Sequence, residues 1–330
     1  MSSSIHVKNL AKTYEYFKKE PGLSGSLKSL FWREKLYNEA LKGISFEIGE
    51  GELVGFLGPN GAGKTTTLKI LSGILYPTSG EARVLGYTPW KREPAYQRQF
   101  SIVMGQKNQL WWDLPAQESF ILNRDIYEIA PKTYSHNLGE LTELFDIKDI
   151  IDVPVRKLSL GQRMKCELAA ALLHSPKVLF LDEPTIGLDI ISQEKIRNYL
   201  KEYNSLKKTT VLLTSHYMRD VERLCNRVVV INNGRIIYDG SVDDLMHSYA
   251  DHKVIRLRFS HEYKGDGGLD KYGEVIERNG LSVVLKTSKV DIARSTARML
   301  NELPVEDLSV EEVEIEEVIK KIFTGQEPLP

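Results

Sequence analysis

The sequence predicts an α/β domain built on a largely parallel sheet, with a helical insert and a small α+β module at the C-terminal end. Three observations predict it. An apolar run, Leu53-Val54-Gly55-Phe56-Leu57, passes through a glycine-rich turn into a helical pattern at Thr67-Leu68-Lys69-Ile70-Leu71. A second run, Val178-Leu179-Phe180-Leu181, is apolar at every position, as expected of a strand buried on both faces, and delivers Asp182-Glu183 to its end. From Lys253 the period changes to the alternation Val254-Ile255-Arg256-Leu257-Arg258-Phe259, which starts a separate module.

Taken in order, residues 5–14 read as a first strand. An unusual segment follows, Glu15 to Asn38, with a Pro21-Gly22 turn and the apolar, basic stretch Leu27-Lys28-Ser29-Leu30-Phe31-Trp32-Arg33. It is either a surface excursion covering the sheet edge or a short amphipathic element lying on a membrane surface or a partner. Strands are expected at Leu41–Ile48, Glu52–Leu57, Glu81–Leu85 and Phe100–Val103, with a helix after the glycine-rich turn running to about Leu75. Residues 118–151 read as mainly helical, broken at Pro131 and Gly139, within an insert of about 107–165 hinged on Gln106. Trp111 and Trp112, beside that hinge, are candidates for core or interface. A helix from Arg163 to His174 leads to the buried strand, and then helix Gln193–Leu206, strand Val211–Leu213 and the polar end Thr214-Ser215-His216 follow. Asn233-Gly234 is the turn chemistry of a hairpin. The first domain spans 1–245 and the second 253–330, with strands near 254–259, 274–278 and 281–286, a helix at 289–301 and a closing acidic helix. That tail, Glu302 to Val318, carries eight acidic residues and no basic one.

The turn Gly58-Pro59-Asn60-Gly61-Ala62-Gly63-Lys64-Thr65-Thr66 fits GxxxxGK[ST] between a strand and a helix. Its four fixed positions recur by chance in roughly 1% of chains of this length. The glycines let successive N–H groups point inward as an anion nest, and the helix adds its positive end. Lys64 supplies a charge for β and γ phosphates, and the Thr65 hydroxyl can bind Mg²⁺. In a parallel sheet, ligands gather at the carboxyl ends of strands. Gly58 onward, Gln106, Asp182-Glu183 and His216 therefore converge. Asp182 can hold Mg²⁺ and Gln106 can complete the metal shell. Glu183 can take a proton from an attacking water, and His216 can position that water against the γ-phosphate. Ser159-x-x-Gln162 is a capping box and also a second helix N-terminus suited to an anion. These residues alone leave open two ligands per chain or one ligand shared between two chains.

Composition narrows the alternatives. Formal net charge is −1, so no nucleic-acid footprint is expected. Cys166 and Cys225 lie far apart, which argues against a zinc site or a disulfide framework. The N-terminus lacks an apolar signal core and no apolar run is long enough to span a bilayer, so a membrane link is expected only through partner chains.

GPNGAGKTT, Gln106, LSLGQ, VLFLDEP, Gly187-Leu188-Asp189 and the TSH at His216 stand in the order of the ATP-binding cassette (ABC) ATPases, which residues 5–240 resemble. The resemblance implies a P-loop NTPase fold, ATP and Mg²⁺, and a head-to-tail dimer with itself or a sister cassette. Ser159, Leu160, Gly161 and Gln162 of one chain would close on ATP held by the other. It further implies Asp189 as the D-loop residue, Glu183 as catalytic base, His216 as switch histidine and Tyr14 as the aromatic stacking on adenine. Leu160 replaces the first glycine of the family's usual LSGGQ, as in exporter cassettes, and leaves Ser159, Gly161 and Gln162 in place. The chain looks most like multidrug and daunorubicin-resistance cassettes, while its 15–38 insertion is similar to that of polysaccharide and teichoic-acid exporters. The implied function is the ATP-hydrolysing subunit of a multi-subunit exporter, peripheral on the cytoplasmic face through separate permease chains. The alternative is a soluble member acting on ribosomes or nucleic acid; one cassette, no heptad run and no basic patch speak against it.

Overall fold

The computed structural model describes residues 3–17, 35–105, 107–215, 218–249, 252–262, 268–313, 318–319 and 323. The chain divides into two compact units, Met1–Gly240 and Ser241–Pro330.

The first unit opens with a long antiparallel hairpin, β1 (Ser3–Phe17) and β2 (Lys35–Gly49). The hairpin is longer at both strands than the sequence suggests. Residues 15–17 and 35–38 pair across it, Glu15 with Tyr37 and Phe17 with Lys35. Residues 15–17 and 35–38 of the expected 15–38 excursion are therefore strand, and 18–34 lie outside the described residues. The central strand β3 (Leu53–Leu57) leads into α1 (Lys64–Leu71), and β4 (Ser79–Val84) completes a three-stranded sheet in the order β2-β1-β4.

A short helix, α2 (Pro94–Gln97), precedes β5 (Phe100–Met104). The helical insert holds α3 (Ala116–Ile126), α4 (Pro131–Leu144) and the start of α5 (Leu160–Leu172). Pro131 begins α4, where its missing N–H costs nothing. Gly139 does not break that helix as expected; with open space around it, it pays only the modest cost of a glycine in a helix interior. Then come β6 (Val178–Asp182), α6 (Ile190–Lys207), β7 (Thr210–Thr214), α7 (Met218–Leu224), β8 (Arg227–Asn232) and β9 (Arg235–Ser241). Asn233 and Gly234, both at positive φ, join the last two strands as their turn chemistry requires.

The second sheet has the order β5-β6-β7-β3-β8-β9, and neighbours from β5 to β8 run parallel. The four apolar positions of β6 are fully buried, as its composition predicts. The core between the two sheets holds Ile5, Ile44, Phe46, Phe56, Leu68 and Phe180. Parallel alignment puts Leu57, Met104, Asp182 and Thr214 at the same edge, where the chain leaves each strand.

The second unit begins with α8 (Val242–Tyr249) and holds an antiparallel sheet, β11-β12-β10-β13: β10 (His252–Phe259), β11 (Glu274–Asn279), β12 (Ser282–Ser288) and β13 (Val305–Glu312). Helix α9 (Ile292–Glu302) lies before β13, and its Met299 is in the core with Phe259, Tyr272 and Leu285. The closing acidic helix expected from Glu302 onward is wrong over 305–312, which form β13. Basic residues on β10 explain it: Lys253, Arg256 and Arg258 pair with Glu312, Glu311 and Glu306 at 2.6, 2.8 and 3.2 Å.

Candidate functional site

The glycine-rich turn curls between β3 and α1, with Gly61 and Gly63 at positive φ (78° and 116°). Lys64 is nearly buried, and its Nζ donates to the Gly58 and Pro59 carbonyls at 2.6 and 3.1 Å. Burial draws the ammonium below its usual pKa, while Glu183 and Asp182 support its charge. Pro59, Asn60, Ala62 and Thr66 complete the turn and the first helical residues. Tyr14, on β1, brings its hydroxyl to 3.5 Å from Thr66 Oγ1, which places this aromatic at the mouth of the loop.

Asp182 ends β6 beside that loop. The Thr65 hydroxyl donates to its carboxylate at 2.9 and 3.2 Å, and the Thr214 hydroxyl, at the end of β7, donates at 2.7 Å. One hydroxyl and one carboxylate meeting at the phosphate loop are hard oxygen donors, and this set fits Mg²⁺, which keeps most of its waters. Glu183 is buried and sits at φ 55°, a left-handed conformation that costs a side-chain-bearing residue about 1–2 kcal/mol. Its N–H donates to the Thr214 carbonyl and hydroxyl, both at 3.1 Å. Gly105 makes room for it: a Cβ there would stand 2.1 Å from the Glu183 carbonyl oxygen. Gln106 and His216 lie outside the described residues.

The Ser159 capping box is complete. Ser159 Oγ accepts from Gln162 N–H at 3.2 Å, and Gln162 Oε1 accepts from Ser159 N–H at 2.9 Å. Gly161 packs so tightly on α6 that a Cβ would meet Ser192 Oγ at 2.6 Å. Leu160 is partly exposed beside Gly187. Asp189 caps α6, accepting from Ser192 N–H at 2.9 Å and Ser192 Oγ at 2.6 Å, and these bonds hold its carboxyl below the usual range. The signature helix and the Asp189 turn thus form one surface. Within this chain it does not meet the phosphate loop through any of these contacts.

Sequence reading missed a buried network behind the site. Asp220, fully buried on α7, accepts from Thr185 Oγ1 and Arg197 Nη1 at 2.5 Å and from Ser215 Oγ at 2.7 Å. Thr185 follows Glu183 by two residues and Ser215 precedes His216, so the network ties together both strand exits that carry candidate catalytic residues. Trp111 and Trp112 are half exposed, which removes the core reading for them. Cys166 and Cys225 are buried; burial pushes the Cys166 thiol up to about 12 and the Cys225 thiol further, which makes both inert.

With a glycine-rich strand-to-helix loop, a strand-end Asp-Glu pair and a second helix start closed by a capping box on one scaffold, comparison with known proteins decides the family. The family described as ABC transporter matches residues 41–186, and the EvrA-like ABC transporter C-terminal domain matches 251–311. The chain is 32% identical over 218 residues to the ABC transporter ATP-binding protein NatA of Bacillus subtilis, covering 66% of this chain and 88% of that one. The chain belongs to the ABC transporter ATP-binding proteins. It is 35% identical to the daunorubicin resistance ATP-binding protein DrrA3 of Streptomyces coeruleorubidus (64% and 67% of the two chains). It is also 35% identical to the Nod factor export ATP-binding protein I of Burkholderia orbicola (68% and 74%). A solved ATP-binding subunit of an ABC transporter superposes with a TM-score of 0.60 at 25% identity, over 74% of this chain and 92% of that one. The dimeric post-hydrolysis cassette MJ0796, bound to ADP and Pi, shares the fold (TM-score 0.59, 24% identity, 72% and 98%). The cassette is an ATP-binding ATPase with the P-loop fold of that family.

Proposed function

We propose that this cassette is the motor of a multi-subunit exporter. Two cassettes close head to tail on ATP, and hydrolysis reopens them against separate permease chains at the inner face of the cell membrane. The observation that carries the reading is the convergence of Lys64, Thr65, Asp182 and Glu183 at one sheet edge, while Ser159 and Asp189 form a surface elsewhere on the same chain. A phosphate held in the loop has no signature residue from its own chain, and a second cassette supplies one. The printed names of the relatives, resistance and export ATP-binding proteins, support outward transport. Among the described residues no helix is long and apolar enough to cross a membrane, which fits a separate permease.

In this reading the loop N–H groups and Lys64 hold the β and γ phosphates, and Tyr14 stacks on adenine. Thr65 and Asp182 hold Mg²⁺, with Gln106 completing the shell; the ion offsets phosphate charge. Glu183 takes the proton of the attacking water, and His216 holds that water in line. Thr214 orients Asp182 and the Glu183 backbone together. The groove lined by Trp111 and the helical insert receives the permease's cytoplasmic docking segment, so that motion of the insert reaches the membrane.

The test compares wild type with Glu183→Gln. Loss of a general base lowers turnover by about 10²–10⁴-fold. The expected result is phosphate release in the wild type, its loss in the variant, and an ATP-trapped dimer of the variant on gel filtration. A variant that hydrolyses at the wild-type rate would remove Glu183 from the mechanism. The permease is sought by purifying tagged wild type from solubilised membranes of its own host and identifying a multi-span protein that stays bound.

A further inference from the structure

Tyr14 does not stand alone at the mouth of the loop. Lys12, two positions earlier on β1, projects to the same face of the strand, and its Nζ lies 5.3 Å from the centroid of the Tyr14 ring. That is the range of a cation–π contact. The same Nζ donates to the Tyr76 carbonyl at 2.8 Å. Among the described residues its partners are this carbonyl and the ring, not a carboxylate.

A lysine on a strand surface ordinarily moves its four-carbon stem among several rotamers, and ordering it costs entropy. Here the anchor is built into the backbone. Thr78 N–H donates to the Ala11 carbonyl at 2.8 Å, and Thr13 N–H donates to the Thr78 hydroxyl at 2.9 Å. The turn that carries Tyr76 is therefore stitched to β1 on both sides of Lys12. Arg92 Nε holds the start of that turn through the Gly73 carbonyl at 2.7 Å. The Tyr76 carbonyl stays in one place relative to Tyr14, and the ammonium stays with it.

The Tyr14 ring is thus held at two points, by the cation over one face and by its hydroxyl at 3.5 Å from Thr66 Oγ1 in the first turn of α1. Tyr76 follows the C-terminal end of α1, whereas the phosphate loop precedes its N-terminal end. The ammonium is drawn toward the end of the helix remote from the loop. The other face of the ring is left to a base that reaches back from phosphates in the loop. An aromatic side chain already held in its bound orientation spares the cost of ordering it when the ligand arrives.

We infer that Lys12 is a positioning residue of the nucleotide site: tethered to the Tyr76 carbonyl, it backs the Tyr14 ring and sets the plane on which adenine stacks. The inference deepens the reading of Tyr14 given above and rests on it. It assigns Lys12 to the base, while Lys64 and the loop serve the phosphates. A lysine that only pinned the turn to β1 would not distinguish the two.

The experiment measures dissociation constants by calorimetry on the full chain with two probes. Mg²⁺-ADP carries base and phosphates and is not turned over; inorganic pyrophosphate with Mg²⁺ carries phosphates alone. The chains are wild type, Lys12→Met, Lys12→Arg, Tyr14→Leu and the Lys12→Met, Tyr14→Leu double variant. Lys12→Met is expected to weaken ADP about two- to fivefold, the size of an exposed cation–π contact, and to leave pyrophosphate unchanged. Lys12→Arg should return ADP to within about twofold of wild type, because a guanidinium also stacks on an aromatic face and donates to a carbonyl. In the Tyr14→Leu background, Lys12→Met should cost nothing further. ADP bound by Lys12→Met as tightly as by wild type, or more tightly, overturns the inference. So does an equal loss for ADP and pyrophosphate, or a loss that persists without Tyr14. If Tyr14→Leu binds ADP as wild type does, the adenine reading of Tyr14 falls, and this inference with it.

Discussion

Asp182 and Glu167 are carboxylates of one cassette held in opposite ways. Asp182 receives the hydroxyls of Thr65 and Thr214. Glu167, almost fully buried, has among the described residues only the Gln109 backbone N–H and Arg163 at 3.4 Å to offset its burial. The phosphate edge is pre-organised by its own chain: each donor sits on a strand end or helix start fixed by the parallel sheet. At Glu167 burial is the largest influence and raises the carboxyl pKa by more than Arg163 and the Gln109 N–H lower it. A site that acts on a small molecule is best finished before the ligand arrives, whereas a buried charge away from that site carries a cost that shows as pH-dependent stability.

The largest expected effect breaks the self-sufficient half of this comparison. Asp220→Ala removes the acceptor of three buried donors and leaves Arg197 charged and alone in the core. The expected loss is about 3–5 kcal/mol, read from urea unfolding of the first unit. Replacing both partners, Asp220→Leu with Arg197→Met, recovers most of it, because an apolar pair of similar volume carries no desolvation cost. A loss under about 1 kcal/mol for Asp220→Ala would show that water reaches Arg197, and that the network does not anchor the strand exits.

A smaller effect sharpens the other half. The Glu167 carboxyl has a folded-state pKa of about 7 against an ordinary value of 4.5. The folded chain keeps this proton where the unfolded chain has released it, so stability falls as pH rises from about 4.5 to about 7. The deficit is fully present above that window, on the order of 3 kcal/mol with the attraction of Arg163 already included. Glu167→Gln lacks the titration. It should be more stable than wild type at pH 8, with the gap closing near pH 4, in paired thermal melts across pH. A gap of the same size at pH 4 and pH 8 would mean that Glu167 is charged throughout, with its partners outweighing its burial.

The phosphate edge was legible because its chemistry is written in consecutive residues. Gly58 to Thr66, Val178 to Glu183 and Ser159 to Gln162 each carry their context beside them, and parallel strands bring the ends together. Asp220 was not legible, since its partners stand at 185, 197 and 215 and meet only in the folded core. Glu167 follows Arg163 by four residues, the spacing of an ordinary solvent-exposed helix pair, and only tertiary packing turns that pair inward. The acidic run after Glu302 carries helix-forming glutamates, yet Lys253, Arg256 and Arg258 across the sheet make 305–312 a strand. Gly105 reads as a turn residue until the Glu183 backbone is seen against it.

Ser159 tests whether the comparison divides so cleanly, since its hydroxyl is satisfied by its own chain and is also proposed to serve another. Ser159→Ala removes the cap and costs about 1 kcal/mol. Ser159→Asp keeps it, because aspartate accepts from the same Gln162 N–H and its charge suits a helix N-terminus, so stability should stay within about 0.5 kcal/mol of wild type. The same carboxylate would face the γ-phosphate held by the partner cassette and repel it. In the Glu183→Gln background, the ATP-trapped dimer should therefore disappear with Ser159→Asp and persist, weakened, with Ser159→Ala. If Ser159→Asp still traps a dimer, Ser159 is a helix cap and nothing more, and the shared two-cassette site loses the residue that defines it.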